Sequence, residues 1–157
     1  MHESNFVCML TTFKNRYAAI FYDHVMVLAV IEKKQYRSLN KEIKAQIKRL
    51  KIPIMQRSDY HKQKRNEFLE TYLIKSHEQA ICENANNFEI RYCDIEEVKL
   101  SPYKTHSTRE YQEGKVLGQL WINIYHKKYH FNHEYEKQHI KVNKIKKQFA
   151  DKFVLLK

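Results

Sequence analysis

Glycine and proline are scarce in this sequence, which contains two residues of each among its 157. Average usage is about 7% for glycine and about 5% for proline. Loops that cradle phosphate groups need glycine, because the backbone must approach the ligand at positions without a Cβ. The glycine-rich motifs of dinucleotide-binding and phosphate-loop proteins are absent as well. Nucleotide-binding enzymes of these two kinds are therefore not expected.

The sequence contains three cysteines but no CxxC pair that would suggest a zinc or redox site. The three cysteines, Cys8, Cys82 and Cys93, are odd in number and accompany no recognisable export signal. This predicts free thiols in a reducing compartment. The longest apolar run, residues 25–31, is far shorter than the ~20 residues that a membrane-spanning helix requires. We therefore expect a cytoplasmic protein without a transmembrane segment.

Hydrophobic residues make up 43% of the chain, which is enough for a packed core at this length. Residues 1–157 are therefore interpreted as a single domain. The sequence does not indicate an oligomeric state.

Residues 80–104 carry the clearest strand pattern, because apolar and polar residues alternate there. Such alternation is typical of an antiparallel sheet with one solvated face. In chain order, the predicted features are a short strand from Ala80, a turn at Asn86-Asn87, a strand at 88–92, a step at Cys93-Asp94 and a strand with Val98 and Leu100 inward.

The segment 25–31 is apolar on both faces and follows a shorter apolar strand and a tight turn at Asp23-His24. A strand of this kind must be covered on both sides. We expect the helices that follow it to provide the second cover, and Met26, Leu28 and Val30 to be buried.

Residues 33–79 are interpreted as an insertion that forms a helical hairpin. Ser38 is the expected N-cap of the first helix, and Pro53 is expected to end it. The second helix is expected to start after Ser58 or Asp59. The apolar stripes of the two helices are Leu39, Ile43, Ile47 and Leu50 in the first, and Phe68, Leu69, Tyr72 and Leu73 in the second.

The C-terminal part alternates between residues 118 and 126, with Leu120, Ile122 and Ile124 inward. Asn132 is the expected N-cap of a final helix. An apolar stripe on that helix is expected to close the open end of a strongly bent sheet. Its members recur every three or four residues and are Val142, Ile145, Phe149, Phe153 and Leu156.

Three passages together resemble the pleckstrin-homology (PH)-like domains of bacteria and archaea: YAAIFYDHVMVLAVIEK, IRYCDIEEVKL, and GQLWINIYHKKYHFNHEYEK before a long last helix. The resemblance implies an α+β fold. In that fold a strongly bent antiparallel β-sandwich or barrel of about seven strands is closed by a C-terminal α-helix, and a two-helix insertion follows the second strand. It also implies a peptide- or lipid-binding module rather than an enzyme.

Clusters of reactive side chains do not form a convincing catalytic or metal site. His130 and His133 would point to opposite faces of a strand, so these two and their neighbours His126 and His139 are interpreted as structural or surface residues. Cys93 beside Asp94 is interpreted as a small residue at a strand bend. Glu96 and Glu97 alternate between faces, which favours a solvated strand edge over an acid/base pair. We expect no catalytic residue, metal or cofactor.

Aromatic residues on one face of the strand at 118–126 offer another possible site. Trp121, Asn123 and Tyr125, with Tyr129 nearby, could stack on nucleic acid bases. The favoured interpretation is that the insertion or the N-terminus covers this face, because buried aromatic rings dominate core energetics.

Positive charge is the strongest functional signal, because it is unevenly distributed. The formal net charge is +11, and residues 33–65 contribute +10 of it, with twelve basic and two acidic residues. Such a surface attracts phosphate-rich polymers and anionic lipid headgroups. The residues predicted to bind an anionic partner are Lys41, Lys44, Lys48, Arg49, Lys51, Arg57, Lys62 and Arg65.

Two functions fit this charge pattern. The first is a non-enzymatic binding or scaffold module whose basic insertion engages an acidic protein or an anionic lipid surface. The alternative is a nucleic-acid-binding protein that uses the same basic surface, with exposed aromatic side chains as additional contacts.

Overall fold

The computed structural model describes residues 6–101, 117–134 and 138–156. This part of the chain has an α+β fold with eight β-strands in one mixed sheet and four α-helices. The strands are β1 (Phe6–Thr11), β2 (Arg16–Phe21), β3 (Val25–Ile31), β4 (Phe88–Arg91), β5 (Ile95–Ser101), β6 (Leu117–Ile124), β7 (Lys127–Glu134) and β8 (Phe153–Leu155). The helices are α1 (Lys33–Arg49), α2 (Ile54–Glu70), α3 (His77–Cys82) and α4 (Gln138–Phe149).

The strand order in the sheet is β4-β3-β2-β1-β7-β6-β5-β8. All neighbouring pairs are antiparallel except β5 and β8, which are parallel. The sheet is not closed, because β4 and β8 form its two edges. The expected antiparallel pairing is thus confirmed for most of the sheet, whereas the parallel edge strand was not predicted.

The inner core lies on the face of the sheet that also packs against α4. Alternate residues of the strands point into it, including Met26 and Leu28 of β3, which are fully buried, and Val30, which is half-buried. Ile145 and Phe149 of α4 complete this core, in agreement with the apolar stripe predicted for the last helix. The side chain of Val142, a third member of that stripe, lies outside the described residues.

The outer core lies on the opposite face of β1, β2 and β3. Its strand residues include Val7, Met9, Ile20 and Val27, and the helical insertion covers them. Strand β3 is therefore covered twice, as predicted. The insertion, however, covers the Val25, Val27, Ala29 and Ile31 face, whereas Met26, Leu28 and Val30 belong to the inner core.

The beginnings of the two long helices differ from the prediction. Helix α1 starts at Lys33 with Glu32 as its N-cap, so Ser38 lies within the helix. Helix α2 starts at Ile54, directly after Pro53. A proline at this boundary is favourable, because its φ near −65° suits the entry to a helix and its missing N–H is not needed there.

Three further segments have a different structure from the predicted one. Ala80 belongs to the short helix α3, where Ser76 and Gln79 form a capping box that satisfies two backbone N–H groups. Asn132 lies in β7 rather than at a helix N-cap. Phe153 lies in β8, where it pairs with Val98, because the chain leaves the helix at Phe149.

The insertion follows the third strand rather than the second, since Phe6–Thr11 is a complete strand paired with β2.

Buried Tyr22 joins the sheet to the insertion, and half-buried Tyr92 joins the turn after β4 to Tyr22. The Tyr22 hydroxyl donates to the Lys75 carbonyl at 3.0 Å, and the Tyr92 hydroxyl donates to the Tyr22 carbonyl at 2.7 Å. Burial raises the pKa of Tyr22 to about 12, with the Glu83 carboxylate adding to the shift. Burial, and secondarily the charge of Asp23, also raises the pKa of Tyr92 strongly. Both hydroxyls are therefore neutral donors at ordinary pH.

Candidate anion-binding surface

The two helices of the insertion are joined by a tight turn that is closed by backbone hydrogen bonds. Lys51 has a φ of 50°, and its N–H donates to the Lys48 carbonyl at 3.3 Å. The Ile52 N–H donates to the Ile47 carbonyl at 3.1 Å. These two bonds form a Schellman motif, which ends α1. The Arg57 Nε–H donates a further hydrogen bond to the Ile52 carbonyl at 3.1 Å. The turn therefore fixes the hairpin without glycine.

Helix α1 carries an uninterrupted row of cations, which we call the basic stripe. At 3.6 residues per turn, its members fall within an arc of about 100° and extend over about 22 Å of the helix. All of them are exposed. The stripe consists of Lys33, Lys34, Arg37, Lys41, Lys44 and Lys48.

The buried side of α1 explains why the stripe faces solvent. Tyr36, Ile43 and Ile47 are the buried residues of this helix and lie on another side of it. The guanidinium of Arg16 stacks over the Tyr36 ring at 3.9 Å from the side of the sheet. With one side of α1 held in this way, the side chains of the stripe remain accessible to a partner.

The charges of the stripe are not neutralised by the rest of the molecule. Among the residues that the structure describes, no carboxylate lies within 4.0 Å of a cationic group of the stripe. Glu42, on another side of α1, accepts instead from Gln46 at 3.3 Å. Lys33 and Lys34 also lie at the positive end of the helix dipole, where each cation costs roughly 0.3–1 kcal/mol. The positions of these lysines therefore do not serve the stability of α1.

The predicted anion-binding residues divide into two groups in the structure. Lys41, Lys44 and Lys48 belong to the basic stripe, and Arg49 and Lys51 are exposed next to it at the end of α1. These five form one continuous cationic region with the remaining residues of the stripe.

The other three predicted residues lie on α2 and have individual surroundings. Arg57 is exposed and bonds the turn carbonyl, and Lys62 is half-buried. Arg65 is also half-buried, with its guanidinium 5.8 Å from the centre of the Tyr36 ring and 3.5 Å from the Asn40 amide oxygen. They do not form a row.

Sequence reasoning missed Lys33, Lys34 and Arg37 as members of the surface. The expected N-cap at Ser38 placed all three before the helix, where they have no defined face. Tyr36 was the available signal, because it continues the apolar spacing of Ile43 and Ile47 by one heptad towards the N-terminus. Extending the helix to include Tyr36 aligns the three cations with the rest of the stripe.

The alternative sites have structural surroundings. Cys93 and Asp94 are exposed in a 3₁₀ turn, with the sulfur 3.8 Å from the carboxylate. Glu97 faces its strand neighbours Asn123 and Lys99 at 3.3 Å each, while Glu96 points to solvent. His130 stacks on Trp121 with ring centres 4.9 Å apart. The side chains of His133 and His139 lie outside the described residues.

A shallow depression at the other end of the insertion is lined by Ile74, Lys75, Gln79, Cys82 and Glu83. Its charged residues are already paired, since the Lys75 ammonium lies 2.8 Å from the Glu83 carboxylate. It therefore presents no uncompensated charge comparable to that of the basic stripe.

Comparison of the chain with protein-family models and with curated proteins gives no significant match in either case. Among the described helices, none combines the length and the hydrophobicity that crossing a membrane requires.

Proposed function

We propose that this protein is a non-enzymatic binding module that engages an anionic partner through the basic stripe of α1. The observation that supports this most directly is the alignment of six exposed cations on one side of a helix, without a described carboxylate in ion-pair distance. Such a row produces a positive potential along its whole length, which attracts polyanions and accelerates their association.

We propose further that the protein is PH-like. The support is the order of the first seven strands, in which β4-β3-β2-β1 continues into β7-β6-β5, and the packing of α4 on the inner core. In this proposal the helical insertion between β3 and β4 is the part that carries the partner-binding surface.

A nucleic acid is the second candidate partner, since its phosphates would also match a row of cations. Half-buried Trp121 and exposed Tyr125 are the aromatic side chains that this alternative would use for stacking. Trp121 already stacks on His130, which occupies one face of its ring. The structure therefore favours the charges over the aromatic residues as the binding determinant.

The test is a charge reversal within the stripe, Lys41→Glu, Lys44→Glu and Lys48→Glu in one variant. The matched control reverses three exposed lysines elsewhere, Lys128→Glu, Lys146→Glu and Lys147→Glu, so that both variants have the same net charge. We expect the stripe variant to lose retention on immobilised heparin at a clearly lower salt concentration than the control. Equal elution of the two variants would show that only net charge matters and would contradict the proposal.

A further inference from the structure

The turn between α1 and α2 exposes a compact group of apolar side chains. Leu50 is 54% exposed, Ile54 78% and Met55 93%. Residues of this kind are usually buried, and here three of them lie within six positions of the chain, on the two sides of one turn. We call residues 48–57 the hairpin tip.

Cations surround the apolar group of the hairpin tip. Lys48, Arg49, Lys51 and Arg57 are all exposed, and the sequence between Glu42 and Asp59 contains no acidic residue. The tip thus combines an apolar centre with a positively charged rim.

The hairpin tip extends beyond the body of the protein. Arg16 and Ile31 are paired at one end of the sheet, and Arg16 contacts Tyr36, which in turn lies 5.8 Å from the Arg65 guanidinium. From Arg65 to Met55, α2 continues for about 15 Å at 1.5 Å per residue. The first six residues of α2 are exposed, and its buried residue, Leu69, lies at the opposite end of the helix. The Schellman turn defines the backbone conformation at the end of this projecting segment.

A second exposed apolar residue lies at the same end of the sheet. Phe13 is in the turn between β1 and β2, whose last pair, Thr11 and Arg16, is next to the start of the insertion. Its side chain is fully exposed, and Lys14 follows it. Two separate turns therefore present exposed apolar side chains with adjacent cations.

We infer that the hairpin tip inserts Leu50, Ile54 and Met55 into the interfacial region of an anionic lipid bilayer. This inference rests on the proposed function and assigns the anionic partner to a lipid surface. A bilayer satisfies both halves of the tip, because the acyl boundary accepts the aliphatic side chains and the headgroups pair with the cations. A phosphate backbone would satisfy the charges alone.

The experiment is vesicle co-sedimentation of the full chain with phosphatidylcholine vesicles that contain or lack phosphatidylserine. The test variant is L50S/I54S/M55S, and the control is Ile74→Ser, which alters an isoleucine that is 87% exposed at the other end of the hairpin. Because these positions are exposed, we expect unfolding transitions within about 1–2 °C of the unmodified protein, by the small effect typical of surface substitutions. Binding to phosphatidylserine vesicles should fall by a factor of about ten or more in the triple variant and stay unchanged in the control.

Insertion is measured independently with an environment-sensitive fluorophore on Met55→Cys, in a background in which the exposed Cys82 and Cys93 are replaced by serine. Its emission should shift to shorter wavelength with phosphatidylserine vesicles, whereas the same fluorophore on Ile74→Cys should show no shift. Absence of a shift at position 55 overturns the inference.

The outcomes separate this inference from the proposed function. If the stripe variant loses binding but the triple serine variant binds the vesicles normally, the partner is anionic but the tip does not insert. If the protein binds heparin or nucleic acid but does not bind the vesicles, the assignment of a lipid partner is wrong, whereas the proposal that the basic stripe binds anions is retained. If the stripe variant keeps full binding to all of them, the proposed function itself is wrong.

Discussion

Lys51 occupies the position in the Schellman turn where a left-handed backbone conformation is required, and Lys51→Gly should therefore stabilise the protein. A non-glycine residue in this conformation costs roughly 1–2 kcal/mol. Glycine removes this cost but adds roughly 0.5–1 kcal/mol of backbone entropy lost on folding. The central values of these two ranges give a net gain of about 0.75 kcal/mol in the free energy of unfolding, or about 1.5–3 °C in the midpoint of thermal unfolding for a chain of this size.

The same substitution should weaken membrane binding. Lys51 lies in the rim of the hairpin tip, and a lysine close to an anionic membrane contributes about 1 kcal/mol, which corresponds to about fivefold in affinity. Lys51→Gly is thus expected to increase stability while it decreases binding to phosphatidylserine vesicles. Thermal unfolding followed by circular dichroism, and vesicle co-sedimentation, measure the two effects on the same sample.

Lys48→Gly is the matched control, because it removes a charge three residues away at a position with helical backbone angles. It should weaken vesicle binding by a similar factor but destabilise the protein by up to about 1 kcal/mol, the cost of glycine inside a helix. If Lys51→Gly lowered the melting temperature as Lys48→Gly does, the strain attributed to Lys51 would be refuted.

Three further predictions concern the body of the protein. Leu28→Ala should destabilise it by about 2.7–5 kcal/mol in urea unfolding, because the leucine is fully buried in the inner core; a loss below ~1 kcal/mol would contradict that burial. Asn87→Ala should cost about 1–3 kcal/mol, since the Asn87 amide accepts from the Val30 N–H and donates to the Ala80 carbonyl at 2.7 Å each, whereas Asn86→Ala is the nearly neutral control. Ionisation of Tyr22 and Tyr92 should leave the free energy of unfolding unchanged below pH ~10 and lower it as the pH rises from about 10 towards 12. The reason is that tyrosines of the unfolded chain ionise in this range, while Tyr22 and Tyr92 stay neutral in the folded state. Melting temperatures between pH 9 and 11.5 test this, and a flat profile above pH 10 would show that the hydroxyls are not buried.

Strand periodicity made most of the sheet predictable, while pairings over long sequence separation were not. Alternation located β5 and β6 and the inward side of each, because one buried face dictates the pattern, whereas β3 was located as an apolar run. The strand β8 has three residues and pairs with β5 in parallel, and its sequence continues the spacing of α4. Local pattern therefore predicted a helix there, and the tertiary pairing overrode it.

The sequence was sufficient to predict which segment carries the candidate surface, but not how its side chains are arranged in space. The net charge of residues 33–65 identified the insertion. The alignment of Lys33, Lys34 and Arg37 with the rest of the basic stripe depends on where α1 begins, and Glu32 forms no side-chain hydrogen bond that marks this N-cap. The exposure of Ile54 and Met55 was not predictable either, because it depends on how far α2 extends past the sheet.

Strands β1, β2 and β3 contribute side chains to the inner core and the outer core in strict alternation, so both cores share one set of backbones. Detaching the insertion would expose the outer-core face of all three strands to water and would thereby also destabilise the inner core on their other face. The amide protons of these strands should consequently be the last in the chain to exchange with deuterium, and those beneath the insertion should exchange together with those beneath α4. A shortened chain that lacks residues 33–79 would expose an apolar sheet face to water, so folding requires the helices of the insertion, whereas the exposed apolar side chains of the hairpin tip contribute little to stability.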